Sequence, residues 1–301
     1  MKMLLEWSLE RGDLLPLLLV LPALLLITCI LVIPLTAGLA LSFFNFQFGS
    51  FSFSQDFVGF ANYIKFFHDQ TALKSVLNTI MFSGGAMFGM FFFGTLVSLV
   101  LFHLSPRISR WIRPLVTIPL LISPIVIGLI WRYIYDPQGI LYWVLGLVNI
   151  TIEEFPGITG ASTALLSTII AHCWQVIPFV VIVLTAGLVS IPKELYEAAD
   201  MDGVNANTKF WKITFPLLKD VYMVLVLVTG VDTVMIFDII FSLTGGGPNN
   251  ATVSTSIYAF NQAFALTNFS YAMVLSIVTI FLSFAIFGIP FIRRNLARVE
   301  D

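Results

Sequence analysis

The chain has 301 residues, of which 58% are hydrophobic and only 11% are charged, and its formal net charge is −2. Soluble domains carry about 25% charged residues, so this composition excludes an ordinary soluble protein and indicates a chain embedded in lipid. The slightly negative net charge also argues against nucleic acid as a partner.

Six apolar runs can each supply the roughly 20 residues that a helix needs to cross a bilayer. They lie near residues 14–44, 73–104, 114–135, 163–190, 220–243 and 270–292. The sequence therefore predicts an all-α, polytopic membrane protein with six transmembrane helices. Its transmembrane domain covers residues 14–292, with short polar termini at 1–13 and 293–301.

The first run is too long for the apolar core of a signal peptide and has no small-residue cleavage site, so we interpret it as a span. Its prolines, among them Pro22 and Pro34, predict bends. Cys29 and Cys173 both fall inside predicted spans. Two such thiols make neither a disulfide framework nor a metal site, and we predict that no metal is bound.

The second span contains Gly84, Gly85, Gly89 and Gly94. Such small residues let helices approach one another closely. The spacing of Gly85 and Gly89 also occurs in helix dimers, but packing within the chain is the favoured interpretation.

The third span carries Pro119, Ser123 and Pro124 near its middle. Broken helices at this depth expose backbone groups, which are tolerated where they line a cavity or are buried in protein. A structural kink with no ligand is the alternative interpretation.

The fourth span has the densest polar group, since His172, Trp174 and Gln175 lie close together. In the fifth span Asp232 lies about 12 residues from one end, roughly 18 Å into the bilayer. A charge there costs at least ~2.5–3.5 kcal/mol, so Asp232 is a functional-site hypothesis. An interhelical hydrogen bond and a silent protonated carboxyl are the alternatives. Asp238 is six positions further, about 240° around a helix, and the two carboxylates are predicted not to share a face.

The longest polar segment, residues 193–216, separates the fourth and fifth spans. Pro192 is typical of a helix start, and Asp202-Gly203 is typical of a turn. We therefore predict two short helices joined at Gly203, in a loop over 190–219 that lies outside the membrane.

The distribution of basic residues predicts the orientation. One side of the predicted topology holds Lys2, Arg11, Arg107, Arg110, Arg113, Lys193, Lys209, Lys212, Lys219, Arg293, Arg294 and Arg298. The other side keeps only Lys65, Lys74 and Arg132. The positive-inside rule then places both termini and the loop 190–219 in the cytoplasm.

The polar segment resembles a known motif. Glu197-Ala-Ala-Asp-Met-Asp-Gly203, followed by Ile213-Thr-Phe-Pro216, is similar to the cytoplasmic EAA loop of ATP-binding-cassette importer permeases. That pattern has Glu-Ala-Ala, a Gly four residues after the second Ala, and then Ile-x-Leu-Pro. Phe215 replaces the preferred Leu, which is a mild apolar exchange. The resemblance implies that ATPase coupling is carried by Glu197, Ala198, Ala199, Asp202, Gly203, Ile213 and Pro216.

Further segments resemble the sugar-importer permeases related to the larger membrane subunit of the maltose importer. They are Val58–Tyr63, Leu77–Thr79, Ile122–Trp131, Ile191–Gly203 and Leu243–Pro248. Because they are spread along the chain, the resemblance covers most of it.

The resemblance implies a type I ABC importer permease fold and a binding-protein-dependent importer of a sugar, oligosaccharide or polyol. The implied partners are a second permease, two ATPase subunits, an external solute-binding protein, membrane lipid and a sugar-like substrate. ATP and Mg would be bound by the ATPase subunits, so this chain would hold no cofactor and would not be an enzyme. The implied location is the cytoplasmic (inner) membrane of a bacterium or archaeon.

The resemblance also implies that spans three, four and five line the substrate cavity. Polar residues in those spans can pair with sugar hydroxyls, and an aromatic ring can stack on a sugar face. The candidate cavity residues are Ser123, His172, Trp174, Gln175 and Asp232.

Two other functions are less well supported by the sequence. An ion-coupled secondary sugar carrier could use Asp232 as its coupling carboxylate, but it leaves the EAA-like loop unexplained and no internal repeat is evident. An intramembrane enzyme lacks support because no Ser/His pair, His-Glu-x-x-His or Cys cluster occurs at catalytic spacing.

Overall fold

The computed structural model describes residues 14–46, 56–149 and 155–293. Within these ranges the secondary structure is helical, apart from one isolated bridge between Phe44 and Phe57. The predicted N-terminus 1–13 and residues 294–301 of the predicted C-terminus lie outside the described residues.

We number the helices in chain order. The first half contains α1 (Leu14–Ile27, continued by Thr28–Val32 and Ile33–Leu41), α2 (Ala61–His68), α3 (Gln70–His103), α4 (Pro106–Thr117), α5 (Pro124–Ile134) and α6 (Ile140–Gly146). The second half contains α7 (Ala164–Ser190), α8 (Lys193–Met201), α9 (Ala206–Lys209, continued to Leu217), α10 (Lys219–Val234), α11 (Asp238–Leu243), α12 (Thr255–Phe260) and α13 (Phe269–Ser283).

Four helices of the described chain are long and apolar enough to cross a membrane alone: Leu19–Leu41, Gln70–His103, Ala164–Ser190 and Phe269–Arg293. Two bent pairs also qualify, Arg107–Leu121 with Pro124–Ile134 at 100°, and Ala206–Leu217 with Lys219–Val234 at 67°. The number of spans is six if each bent pair counts as one. The 100° bend lies at the Ser123-Pro124 step, where a broken helix is predicted.

The fifth apolar run, predicted near 220–243, is not one continuous helix. α10 ends at Val234, residues 235–237 are irregular, and α11 starts at Asp238. The Ser254 hydroxyl donates to the Ile236 carbonyl at 3.1 Å and accepts from the Ile257 amide at the start of α12. One side chain therefore satisfies a backbone group of the break and also caps the next helix.

The core is built around α3 and α7, which pack closely through glycines. A Cβ on Gly85 would lie 2.8 Å from Ile169 Cδ1, and one on Gly89 would lie 2.8 Å from Cys173 Sγ. A Cβ on Gly94 would come within 2.6 Å of Val180. These glycines thus serve packing within the chain, as the sequence predicts, whereas Gly84 faces open space.

A second cluster joins α2, α3, α12 and α13 at the end of the molecule opposite the polar segment. Asp69 caps α3 by accepting from the amides of Thr71 and Ala72. Its other carboxylate oxygen accepts from Tyr258 at 2.6 Å and from Tyr271 at 2.8 Å. Burial raises the pKa of Asp69, but these hydrogen bonds outweigh it, so the pKa lies below its usual value of 3.8.

The Gly-rich loop between α11 and α12 is held by α3. The Asn78 amide donates to the carbonyls of Asn250 and Val253, both at 3.0 Å, and Lys74 donates to Asn249. The Thr79 hydroxyl accepts from the amide of Thr255 at the start of α12. Side-chain hydrogen bonds therefore join α3 to the Gly-rich loop, although the two are far apart in sequence.

Candidate functional site

The polar hairpin, which we define as residues 193–217, has the two helices that the sequence predicts. α8 ends at Met201, and Gly203 adopts a positive φ of +68°. The Gly203 amide donates to the Asp200 carbonyl, and the Val204 amide donates to the Ala199 carbonyl, both at 3.0 Å. This pair of bonds is a Schellman motif, which stops a helix and favours glycine at the left-handed position.

Side-chain contacts hold the two arms of the hairpin together. The Tyr196 hydroxyl lies 2.8 Å from the Thr214 hydroxyl, and Lys209 forms an ion pair with Asp200. The Asn205 side chain accepts from the Thr208 amide and caps α9. The two arms of the hairpin are therefore joined by side-chain contacts.

The base of the hairpin is attached to three long helices. Leu188, Ile191 and Leu218 form a buried cluster. Residues packed against this cluster come from α3, α8 and α10: Leu99, Phe102, Tyr196, Val221 and Tyr222. The Tyr222 hydroxyl also lies 2.7 Å from the Thr95 hydroxyl on α3. Packed side chains thus connect the hairpin to the long helices.

The tip of the hairpin is exposed. Glu197, Ala198, Asp202 and Gly203 are exposed, and the Met201 side chain is 89% exposed. Among the other residues that resemble the EAA motif, Ala199 is buried, Ile213 is partly buried and Pro216 is exposed. In the described part of the chain Glu197 forms no ion pair. The tip therefore exposes both apolar and charged groups.

A cavity of about 580 Å³ opens between α5, α7, α10 and α11; we call it the polar cavity. His172, Gln175 and Asp232 line it, together with Thr229 and Asp238. Three of the five predicted cavity residues therefore line one space, formed by the third, fourth and fifth apolar runs.

The polar cavity is lined by side chains with unused hydrogen-bonding capacity. His172 is 2% exposed, and neither of its ring nitrogens has a hydrogen-bond partner among the described residues. The Gln175 side chain makes a long contact of 3.4 Å to the Ile122 carbonyl. A buried imidazole without a partner is unfavourable unless a ligand or water completes it.

Two predicted residues do not line the polar cavity. Ser123 is exposed at the bend before α5 and makes no side-chain capping bond. Trp174 is 38% exposed and packs edge to face against Trp131, with ring centroids 6.0 Å apart. The aromatic side chains that do line the cavity are Phe179 and Phe237. In sequence they are indistinguishable from ordinary apolar residues of a span.

The expectation that Asp232 and Asp238 point to different faces is wrong. It assumes one continuous helix, whereas α10 ends at Val234 and the chain turns before α11. Both carboxylates line the polar cavity. The single sequence signal for Asp238 is that it is an acidic residue within an apolar run.

Comparison with known proteins identifies the family to which this chain is similar. Residues 90–295 match the family described as binding-protein-dependent transport system inner membrane component. The matched range includes the polar hairpin and every helix that lines the polar cavity.

Several curated proteins are similar over most of the chain. The trehalose/maltose transport system permease protein MalF of Thermococcus litoralis is 33% identical over 235 residues, covering 76% of this chain and 78% of that protein. The sulfoquinovosyl glycerol transport system permease protein SmoG of Agrobacterium fabrum is 31% identical, covering 95% and 92%. The sn-glycerol-3-phosphate transport system permease protein UgpA of the same organism is 30% identical, covering 93% and 94%.

The fold also matches a solved transporter. A chain of a bacterial ABC transporter that imports the acidic polysaccharide alginate superposes with a TM-score of 0.81, covering 98% of this chain and 99% of that one. The sequence identity is 20%, so this likeness establishes the fold alone. A second structure contains the alginate transporter with its pentasaccharide-bound periplasmic protein and gives a TM-score of 0.77.

Proposed function

Because the chain belongs to the family of binding-protein-dependent transport system inner membrane components, we propose that it forms half of the pathway of an ATP-driven importer for a neutral sugar, oligosaccharide or polyol. Its partners are a second permease, two ATPase subunits that bind ATP and Mg, and an external solute-binding protein. The chain is a permease, a transport subunit and not an enzyme.

The observation that carries the proposal is the polar hairpin. Its tip is exposed and its base is packed on α3, α7 and α10. A partner that binds the tip and moves it can therefore tilt the helices that surround the polar cavity. In this mechanism the ATPase subunits move the hairpin, and the helices respond as rigid bodies that alternately open the cavity to each side.

The lining of the polar cavity favours a neutral polyhydroxylated solute. Asp232 and Asp238 can accept hydrogen bonds from hydroxyl groups, while Gln175 can both donate and accept. Phe179 and Phe237 offer ring faces for the C–H surface of a sugar. In the described part of the chain no Lys or Arg lines this cavity, which disfavours a phosphorylated solute.

The proposal is tested by uptake into vesicles that contain the complex assembled with its partner subunits. We expect uptake of the solute carried by the cognate binding protein to require ATP and to persist when a protonophore removes the proton gradient. Uptake that continues without ATP and collapses with the gradient would instead identify an ion-coupled carrier.

A substitution at Asp232 also distinguishes an ATP-driven importer from an ion-coupled carrier. Asp232→Asn keeps the size and hydrogen-bonding capacity of the side chain but removes its titratable proton. We expect ATP-driven uptake to continue in this variant, with at most a change in half-saturation. A coupling carboxylate would lose accumulation altogether.

A further inference from the structure

Two neighbouring cavities lie beside the base of the polar hairpin. The basic pocket, about 560 Å³, is formed by the end of α3, by α4 and by the junction of α7 with α8. The apolar groove, about 420 Å³, runs between α4 and α7. Leu101, Arg113 and Val189 line both cavities, so the two cavities adjoin at these residues.

The basic pocket has the chemistry of an anion site. Arg110, Arg113 and Lys193 line it, and none of these cations forms an ion pair in the part of the chain that the structure describes. Ser109 also lines the pocket; it is 4% exposed, and among the described residues its hydroxyl oxygen has no hydrogen-bond partner. Three cations and a buried hydroxyl that are unpaired within the described ranges suit a phosphate group.

The apolar groove has the chemistry of a site for an acyl chain. Val116, Val181, Ile182, Ala186 and Val189 line it. From Val189 to Val181 the groove follows α7 for roughly 12 Å, at 1.5 Å per residue. Thr185 also lines it; its buried hydroxyl has no partner among the residues that the structure describes and can donate to an ester carbonyl.

The position of α4 fits the same ligand. Ile108, Trp111 and Leu115 are all exposed and lie on one face of this helix. Their spacing of three and four residues makes an apolar stripe opposite Ser109, Arg110 and Arg113. This pattern is typical of a helix at the membrane interface, where a basic face can reach lipid headgroups.

We propose that the basic pocket and the apolar groove together bind one anionic phospholipid, with its phosphate at Arg110, Arg113 and Lys193 and one acyl chain along α7. The occupant is a lipid and not a free anion because an apolar groove adjoins the charged pocket and shares three lining residues with it. That the lipid comes from the cytoplasmic leaflet depends on the predicted orientation of the chain. The binding of the lipid does not depend on that orientation. Since Lys193 begins α8, the lipid would brace the base of the hairpin.

The test is native mass spectrometry of the purified complex that contains the full chain, titrated with phosphatidylglycerol or with phosphatidylcholine. We expect tighter binding of phosphatidylglycerol, and a loss of about fivefold in its affinity for Arg110→Gln and for Lys193→Gln. Arg107→Gln is the matched control: Arg107 is exposed on the same helix but does not line the pocket. Equal affinities for both lipids, or the same loss in Arg107→Gln, would overturn the proposal.

A second variant separates a lipid from a free anion. Ala186→Phe fills the apolar groove from an exposed position and leaves the cations in place, so phosphatidylglycerol binding should fall while protein stability is kept. Leu166→Phe, at an exposed site elsewhere on α7, should bind normally. Displacement of the lipid by inorganic phosphate, unchanged binding in Ala186→Phe, or a partner helix occupying the groove would each contradict a bound lipid. None of these outcomes depends on ATP-driven transport.

Discussion

Gly203 closes the turn of the polar hairpin at a φ of +68°. An added Cβ would meet nothing within 4 Å in this chain, so Gly203→Ala costs only backbone strain, about 1–2 kcal/mol. Asparagine tolerates this conformation better but is larger. If the turn docks into an ATPase groove, Gly203→Asn should retain less ATPase than Gly203→Ala, measured as the ratio of subunits that copurify.

The reverse order would point to a different role. If the turn matters only for the shape of the hairpin, alanine should be the more damaging change and asparagine the milder one. Equal retention of ATPase in both variants and in the unmodified protein would remove Gly203 from the docking surface.

Gln175 tests the polar cavity. Gln175→Leu keeps much of the side-chain volume but removes its hydrogen bonds, and one such bond is worth about 0.5–1.5 kcal/mol. The half-saturation constant for the solute should therefore rise roughly two- to tenfold, measured by uptake into vesicles. Trp174→Leu serves as the comparison, since Trp174 lies outside the cavity lining and packs on Trp131. A larger effect in Trp174→Leu would place the solute elsewhere.

Sequence chemistry identifies cavity residues only where polarity is unusual. His172, Gln175 and Asp232 stand out because polar groups are unfavourable in an apolar span, and all three line the polar cavity. Phe179 and Phe237 cannot be singled out in a chain with 29 phenylalanines. The placement of Trp174 depends on the rotation of α7 about its axis, which is set by the packing of Ile169, Cys173 and Val180 against the glycines of α3.

Local sequence signals, such as Pro192 and Asp202-Gly203, predict where helices begin and end. The prolines of the third span predict the bend at Ser123-Pro124. The break between α10 and α11 has no such signal, since Met235-Ile236-Phe237 is an apolar run without proline or glycine. Its carbonyl at Ile236 is satisfied by Ser254, which lies 18 residues further along the chain. Tertiary contacts of this kind cannot be predicted from a local sequence pattern.

The cluster at Asp69 predicts a pH dependence of stability. The lowered pKa means that the native state favours the ionised Asp69 carboxylate. The carboxylate therefore stabilises the folded protein fully at pH values above its pKa in the unfolded state. This stabilisation is lost as the pH falls through the lower pKa of the native state. Between pH 6 and pH 3, the thermal midpoint should therefore fall more in the unmodified protein than in Asp69→Asn. Equal slopes, measured by scanning fluorimetry, would show that Asp69 contributes nothing to this linkage.

For the molecule as a whole, the predicted orientation in the membrane rests on the distribution of basic residues. Met201→Cys on the hairpin tip should react with a membrane-impermeant maleimide only after the membrane is opened, whereas Trp143→Cys should react from outside in intact cells. Both positions are well exposed, at 89% and 69%. In the background, Cys173 is buried and Cys29 lies within a predicted span. Labelling of Met201→Cys in intact cells would invert the proposed topology.

In the proposed complex a separate ATPase binds the polar hairpin. Photocrosslinking from a photoreactive side chain at Met201 in the assembled complex, with the same group at Trp143 as control, tests this contact. Met201 should crosslink to an ATPase subunit with a yield that changes when ATP is bound, and Trp143 should give no such product. A hairpin tip that forms no crosslink to an ATPase, in a complex that still transports, would contradict the proposed contact.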